Sequence, residues 1–186
     1  MSMPKRLLTR LRSYARDEGG SATVEAAIAF PILMWLFVVT FALFDLYQFK
    51  SAREKATYTL ADMISRETIP IDQTYLDNAL ALFNDMTGGS NQLRVSVVYY
   101  SADYDRYWKK WSKTVGTGDM ASYKDKDLGT KHDWFPVMVD AEQLVVVESK
   151  ASYDSPFNVG FTPKTVETYA FTRPRFAPQV CFDTCY

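Results

Sequence analysis

One carboxylate in this chain stands in an unusual place. Glu25 directly precedes residues 26–44 (AAIAFPILMWLFVVTFALF), a run without any charge. An ionised carboxylate costs up to roughly 3 kcal/mol at the centre of a bilayer and less near its edge. Two interpretations of Glu25 therefore stay open. It either lies at a membrane interface without a role, or it serves a function that needs a carboxylate there.

The second chemical feature is a pair of cysteines, Cys181 and Cys185. A disulfide between them requires the chain to turn, because an extended segment would hold the Cα atoms too far apart. If the domain is exported, it meets an oxidising compartment. A local disulfide is the first interpretation, and pairing with another chain is the second.

The remaining polar residues do not predict an enzyme or a metal site. The single histidine, His132, stands beside Asp133 with no Cys or Glu at ligand spacing, which favours an ordinary loop residue. Four acids are spaced as in a calcium loop, but the lysines between them favour a solvated loop: Asp119, Asp125, Asp127 and Asp133. No nucleophile elbow, phosphate-binding loop or H-E-x-x-H motif occurs. We expect no catalytic residue, no bound metal and no cofactor.

Residues 107–115 (YWKKWSKTV) combine aromatic rings with positive charge. Tyr107, Trp108 and Trp111 beside Lys109 and Lys110 would suit a surface that grips a polysaccharide or a partner. The favoured interpretation is a strand with a core face and a solvated face.

The uncharged run sets the organisation of the chain. Its 19 residues would form a helix of roughly 28 Å, close to the thickness of the hydrocarbon core. A cleavable signal peptide has a shorter apolar core and a small-x-small site, which residues 45–50 lack, so a retained span is favoured. The first sixteen residues contain five cations, which predict a cytoplasmic N-terminus and an exported domain: Lys5, Arg6, Arg10, Arg12 and Arg16.

Composition agrees with an anchored domain. The chain has 186 residues, a formal net charge of −1 and twelve tyrosines. This charge implies no nucleic-acid partner. We predict a leader over residues 1–20, a transmembrane and stalk helix over 21–66, and a periplasmic domain over 67–186.

The periodicity beyond the span predicts an α+β fold with a second helix and a small four-stranded antiparallel sheet. A helical rhythm continues from residue 46 to 64, which indicates one long helix; two helices that meet near Asp45 are the alternative. Asp72 predicts the N-cap of the second helix, and Gly88-Gly89 ends it. Strands are predicted over residues 93–100, 107–115, 143–153 and 166–172.

Two segments resemble a known family. Residues 19–27 (GGSATVEAA), followed by Phe30-Pro31, resemble the start of TadE-like proteins, the minor pseudopilins of tight-adherence (Tad/Flp) pilus systems. Residues 144–157 and then 172–175 (TRPR) are similar to the family's late strand and its R-P-R tail. The acids Asp17 and Glu18 depart from the pattern. Bacteriocin-type leaders also end in a Gly-Gly pair, but they carry apolar positions where these acids stand.

The resemblance implies a structural role. Prepilin peptidase would cut after Gly20, Ser21 would become the mature N-terminus, and Glu25, at the fifth position, would pair with the new amine of a neighbouring subunit. The implied partners are other pilin and pseudopilin subunits, prepilin peptidase, the Tad inner-membrane platform and membrane lipid. The rival interpretation is an uncleaved single-span protein with a periplasmic ligand-sensing domain, which would not need both Gly20 and Glu25 at this spacing.

Overall fold

The first element, α1, is an unbroken 45-residue helix from Ser21 to Ser65 in a computed structural model. The structure describes residues 21–129, 132–157, 159–160 and 163–185. The prediction of one long helix is confirmed. The alternative of two helices that meet near Asp45 is wrong, because Asp45 lies within continuous helix.

The second half of α1 is amphipathic and packs on the domain. Ala56, Leu60 and Ile64 recur at four-residue steps, and all three are fully buried. Residues at this spacing share one face of a helix. The hydrophobic core therefore begins in the second half of α1.

The second helix, α2, extends from Gln73 to Thr87 and has the predicted signals at both ends. The carboxylate of Asp72 accepts a hydrogen bond from the backbone N–H of Tyr75 at 2.7 Å, as an N-cap should. Gly88 ends the helix with a φ of 66°, a left-handed conformation that glycine adopts without strain. Leu76 and Phe83 bury the inner face.

Four antiparallel strands form one sheet in the order β2-β1-β3-β4. Their bounds are Gln92–Ser101 for β1, Arg106–Val115 for β2, Gln143–Ser152 for β3 and Thr165–Thr172 for β4. The predicted α+β class with a four-stranded antiparallel sheet is confirmed. A register shift interrupts the β1–β2 pairing between Val97 and Val98.

The sheet is covered on both faces. The helices bury one face around Val95, Val147 and Ala170. The long β2–β3 connection, which includes the short helix α3 (Asp125–Leu128), covers the other. Its buried side chains pack against Val98 and Val146 of the sheet: Tyr123, Leu128, Phe135 and Met138.

The two ends of the sheet differ in their distance from the apolar half of α1. At one end, Tyr153 and Phe157 after β3 contact α1 at Asp45 and Phe41. We call this the anchor end. At the other end lies the β1–β2 turn over residues 102–105, which we call the distal end. A ten-residue strand is roughly 30 Å long, and this length separates the two ends.

Candidate functional site

The first half of α1 is an apolar helix segment whose side chains are exposed over residues 24–37. We call this segment the apolar rod. Ile28, Phe30 and Phe37 are 63%, 65% and 68% exposed, values that are unusual for large apolar side chains. Between residues 24 and 37 every described side chain is exposed. An apolar surface of this extent indicates contact with a membrane or with another apolar surface.

This helix is long and apolar enough to cross a membrane, judged by length and composition. Its most apolar 18-residue stretch is hardly buried against the rest of the chain. A core helix of a soluble domain would be buried instead. The prediction of a membrane-spanning helix is thus supported at the level of a candidate span.

Two of the residues predicted for processing and assembly, Ser21 and Glu25, lie in α1. Gly20 is outside the described residues, and Ser21 is the first residue of the helix. Glu25 lies one turn further on, and its side chain is exposed between the exposed Val24 and Ile28. A nearby cation would stabilise a carboxylate on such an apolar surface, because an unpaired charge loses favourable hydration when the surface is buried.

The apolar rod meets the domain at a junction formed by Asp45, Phe49 and Tyr153. Asp45 is the first charged residue after the run, and it accepts a hydrogen bond from the Tyr153 hydroxyl at 2.8 Å. Burial and this hydrogen bond both raise the pKa of Tyr153. The Tyr153 ring packs edge-on against Phe49, with centroids 4.8 Å apart. The junction thus fixes α1 against the β3–β4 connection just where the uncharged run ends.

Arg53 reinforces α1 one turn beyond the junction. It is 2% exposed, and its guanidinium lies over the Phe49 ring at 3.3 Å. Its Nε donates to the side-chain oxygen of Asn91 at 2.9 Å. Burial lowers the pKa of Arg53. The side chain is therefore a structural link between α1 and the start of β1.

The R-P-R segment holds the far end of α1. The backbone N–H of Arg175 donates to the carbonyl of Ser65 at 2.8 Å, and its guanidinium pairs with Asp62 at 3.2 Å. Arg173 forms an ion pair with Glu142, just before β3. The segment that resembles the family's tail thus connects the last turn of α1 with the sheet.

The structure joins Cys181 and Cys185 in a disulfide, with Cα atoms 5.1 Å apart. The turn that this requires passes through Asp183, whose φ is 55°. Backbone hydrogen bonds connect Ile71, before α2, with Cys181 and Asp183 at 2.9 and 2.8 Å. The indole of Trp111 donates to the carbonyl of Val180 at 2.7 Å. The tail therefore lies between α2 and β2.

We expect this disulfide in protein taken from an oxidising compartment. Non-reducing peptide mass spectrometry should find the Cys181–Cys185 peptide about 2 Da lighter than its dithiol form. The loop is short, so Cys181→Ser should cost less than about 3 kcal/mol, the estimate for a 15-residue loop. Free thiols in freshly prepared, unreduced protein would contradict this pairing.

Three of the four acids, Asp119, Asp125 and Asp127, and the histidine of the β2–β3 connection have local structural partners. Asp119 pairs with Lys150 at 3.0 Å, and the side chain of Asp125 accepts from the backbone N–H of Lys109 at 3.0 Å. The His132 ring packs on Tyr107, with centroids 5.3 Å apart. Within the described part of the chain, no three His, Cys, Asp or Glu side chains cluster as metal ligands would.

The aromatic and basic stretch forms β2, and both faces of this strand carry core residues. Tyr107 is buried with Phe135 beneath the β2–β3 connection. Trp111 packs on the opposite, helical side. The expectation of one core face and one solvated face is therefore wrong for these two rings.

Sequence reasoning missed a polar cluster on the face beneath the β2–β3 connection. Arg94 donates from Nε and Nη2 to the two carboxylate oxygens of Glu148, at 2.7 and 2.6 Å. The Tyr123 hydroxyl donates to Glu148 at 3.0 Å, and the Arg94 guanidinium lies 3.7 Å above the Tyr123 ring. Burial and the nearby carboxylate raise the pKa of Tyr123. The sequence feature that could have indicated this cluster is Glu148, an acidic residue directly after the apolar run Leu144–Val147.

No family model, curated protein or solved structure matches this chain.

Proposed function

We propose that this chain is a TadE-like minor pseudopilin of a tight-adherence pilus system. In this role it has no catalytic activity of its own and contributes to the assembly, initiation or anchoring of the pilus. Its partners are other pilin and pseudopilin subunits, the Tad inner-membrane platform, prepilin peptidase and membrane lipid.

One observation carries the proposal. A single helix over Ser21–Ser65 presents Glu25 on a bare apolar half and buries its second half in an α+β domain. A subunit that must pack its helix beside other helices needs such a surface. The GGSATVEAA sequence of residues 19–27 places the candidate cleavage point directly before Ser21.

Glu25 has a specific role in this proposal. Removal of residues 1–20 would give Ser21 a new α-amino group, which is a cation near neutral pH. In an assembling filament the amine of one subunit lies near Glu25 of its neighbour. Each charge then relieves the desolvation penalty of the other.

The proposed location is the bacterial inner membrane, with the C-terminal domain in the periplasm. The five cations before the uncharged run favour a cytoplasmic N-terminus. A disulfide in the exported domain is compatible with the oxidising periplasm. Incorporation into a surface pilus would follow from assembly through α1.

The mature N-terminus tests the proposal. In cells that contain prepilin peptidase, we expect intact-mass and N-terminal analysis to show a chain that begins at Ser21. Gly20→Val should leave a precursor heavier by the leader but still inserted in the membrane, because a side chain at this position obstructs the peptidase's approach to the backbone.

Gly19→Val is the matched control, because it adds the same side chain one residue before the cut. It should be processed at least partly. A wild-type chain that begins at Met1, or normal processing of Gly20→Val, would favour the anchored sensor instead.

A further inference from the structure

A shallow aromatic pocket lies at the distal end of the sheet. It has a volume of about 570 Å³ and is lined by the end of β1, the turn and the start of β2: Tyr99, Ser101, Tyr104, Arg106 and Trp108. This volume falls within the range of small-ligand pockets, about 300–1,000 Å³. No step of the proposed pilin function uses these residues.

Three rings give the pocket flat apolar surfaces. Tyr99 and Trp108 are direct partners in the β1–β2 register, and both are half-buried. Tyr104 in the turn is 74% exposed, and its ring meets Trp108 edge-on with centroids 6.4 Å apart. Rings held by a hairpin bring contact area at little conformational-entropy cost.

Positive charge accompanies the rings. The guanidinium of Arg106 lies over the Trp108 ring at 4.4 Å, and the ammonium of Lys110 lies over Tyr99 at 5.2 Å. The Nε of Arg106 is buried and has no hydrogen-bond partner among the described residues. Its Nη2 donates to the backbone carbonyl of Asp125 at 3.4 Å, so Arg106 is held beside Trp108 and offers the pocket its positive charge.

The cations of β2 form no ion pair with another residue in the described part of the chain. Strand β2 contains four cations and no acid: Arg106, Lys109, Lys110 and Lys113. None of them takes part in the ion pairs found between described residues. Two acids lie in the turn, and one of these, Asp105, accepts a hydrogen bond from the Tyr100 hydroxyl at 2.6 Å. A third acid, Asp140, accepts a hydrogen bond from the backbone N–H of Ala102 in the turn at 2.8 Å, so four cations stand against three acids around the hairpin.

We propose that this hairpin pocket binds an acidic polysaccharide, a chain of uronic acid residues. The apolar faces of sugar rings would lie on Trp108 and Tyr104, and their carboxylates would pair with Arg106 and Lys110. The two side chains supply the positive charge that attracts a carboxylate. The inference is independent of the pilus assignment, because it depends on the hairpin alone.

The position of the pocket and its positive charge favour an acidic polysaccharide over other ligands. The pocket is roughly 30 Å from the anchor end, measured along the strands, so a lipid headgroup at the membrane where α1 enters is out of reach. A neutral glycan has no carboxylate to pair with the cations Arg106 and Lys110. An acidic polypeptide offers carboxylates without flat apolar rings, so its binding can be separated from that of the polysaccharide by experiment.

Binding of polygalacturonate to the full chain in lipid nanodiscs tests the proposal. The wild-type chain should bind polygalacturonate but not dextran, which is neutral. Binding should weaken as salt rises, since the cations supply part of the attraction. Poly-L-glutamate should bind at least about tenfold more weakly than polygalacturonate, because it lacks sugar rings.

Two exposed substitutions should weaken binding without affecting the fold. Tyr104→Ala should lower the affinity about tenfold, the loss expected from a central aromatic contact. Lys110→Gln should lower it about threefold and flatten the salt dependence. Tyr58→Ala and Lys55→Gln are the matched controls, since both residues are exposed on α1 and neither lines the pocket; both should bind as the wild type does.

Four results would overturn the proposal. These are the absence of polygalacturonate binding, equal binding of dextran, equal binding of poly-L-glutamate, and equal losses in the hairpin and control variants. Equal binding of poly-L-glutamate would assign the pocket to an acidic protein.

Discussion

Under the pilus role proposed above, Glu25→Ala is expected to lower association of this chain with pilin subunits strongly while leaving its membrane insertion intact. The substitution removes a carboxylate from an exposed apolar rod, so insertion should be unaffected or slightly favoured. In the assembled state it would leave the amine of a neighbouring Ser21 unpaired. An uncompensated charge at low dielectric costs several kcal/mol, enough to lower association more than a hundredfold.

Crosslinking of detergent-extracted complexes and counts of surface pili measure this effect. Glu25→Asp should be intermediate, because the shorter side chain reaches less far. Glu54→Ala is the matched control on the same helix: Glu54 forms an exposed pair with Lys50 at 3.6 Å, and its loss should leave assembly unchanged. Normal piliation by the Glu25→Ala chain would disprove the proposed pairing.

Glu148→Gln is expected to destabilise the domain far more than removal of an exposed charge would. The side chains of Arg94 and Glu148 are only 15% and 11% exposed, so the change leaves a nearly buried cation without its counter-charge. Removal of one partner from such a pair costs about 3 kcal/mol or more. For a chain of this size, the melting temperature should fall by roughly 6–12 °C.

Thermal unfolding of the full chain in detergent, followed by tryptophan fluorescence, tests this prediction. Glu167→Gln is the matched control: Glu167 is 66% exposed in its pair with Lys150, and its loss should cost less than about 1 kcal/mol. The double variant Arg94→Met/Glu148→Leu should recover most of the lost stability, because apolar residues replace such a pair at little cost. Equal effects of Glu148→Gln and Glu167→Gln would disprove the assigned role.

The local signals in the sequence were sufficient for most of the fold. Asp72 and Gly88 mark the ends of α2 because a cap needs only neighbouring backbone. The alternating, β-branched strands were identified for a similar reason, since the side-chain period of a strand is visible in a few residues.

The β2–β3 connection was not predictable in the same way. Trp134 and Phe135 lie in irregular backbone, and they acquire their packing against Phe171 from the tertiary fold. The Arg94–Glu148 pair likewise depends on the β1–β3 register, which joins residues 54 positions apart. No periodicity in the sequence encodes such a contact.

The candidate site was only partly predictable. The exposed apolar half of α1 follows from composition alone, as does the position of Glu25 beside it. The roles of Gly20 and Ser21 rest on the resemblance of residues 19–27, because a cleavage point has no packing or periodicity of its own. The distal pocket requires the hairpin, which brings Tyr99, Tyr104 and Trp108 together only after β1 and β2 pair.

Because α1 is one unbroken helix, a tilt of its apolar half also moves the domain at its other end. A helix of 45 residues is about 68 Å long, and the junction at Asp45 and Tyr153 leaves no loop between the apolar half and the domain. A change of about 10° in the tilt of the apolar half would therefore swing the far end of the helix by about 12 Å. The packing of the apolar half of α1 among its neighbours would thus set the direction in which the β1–β2 hairpin and its distal pocket point.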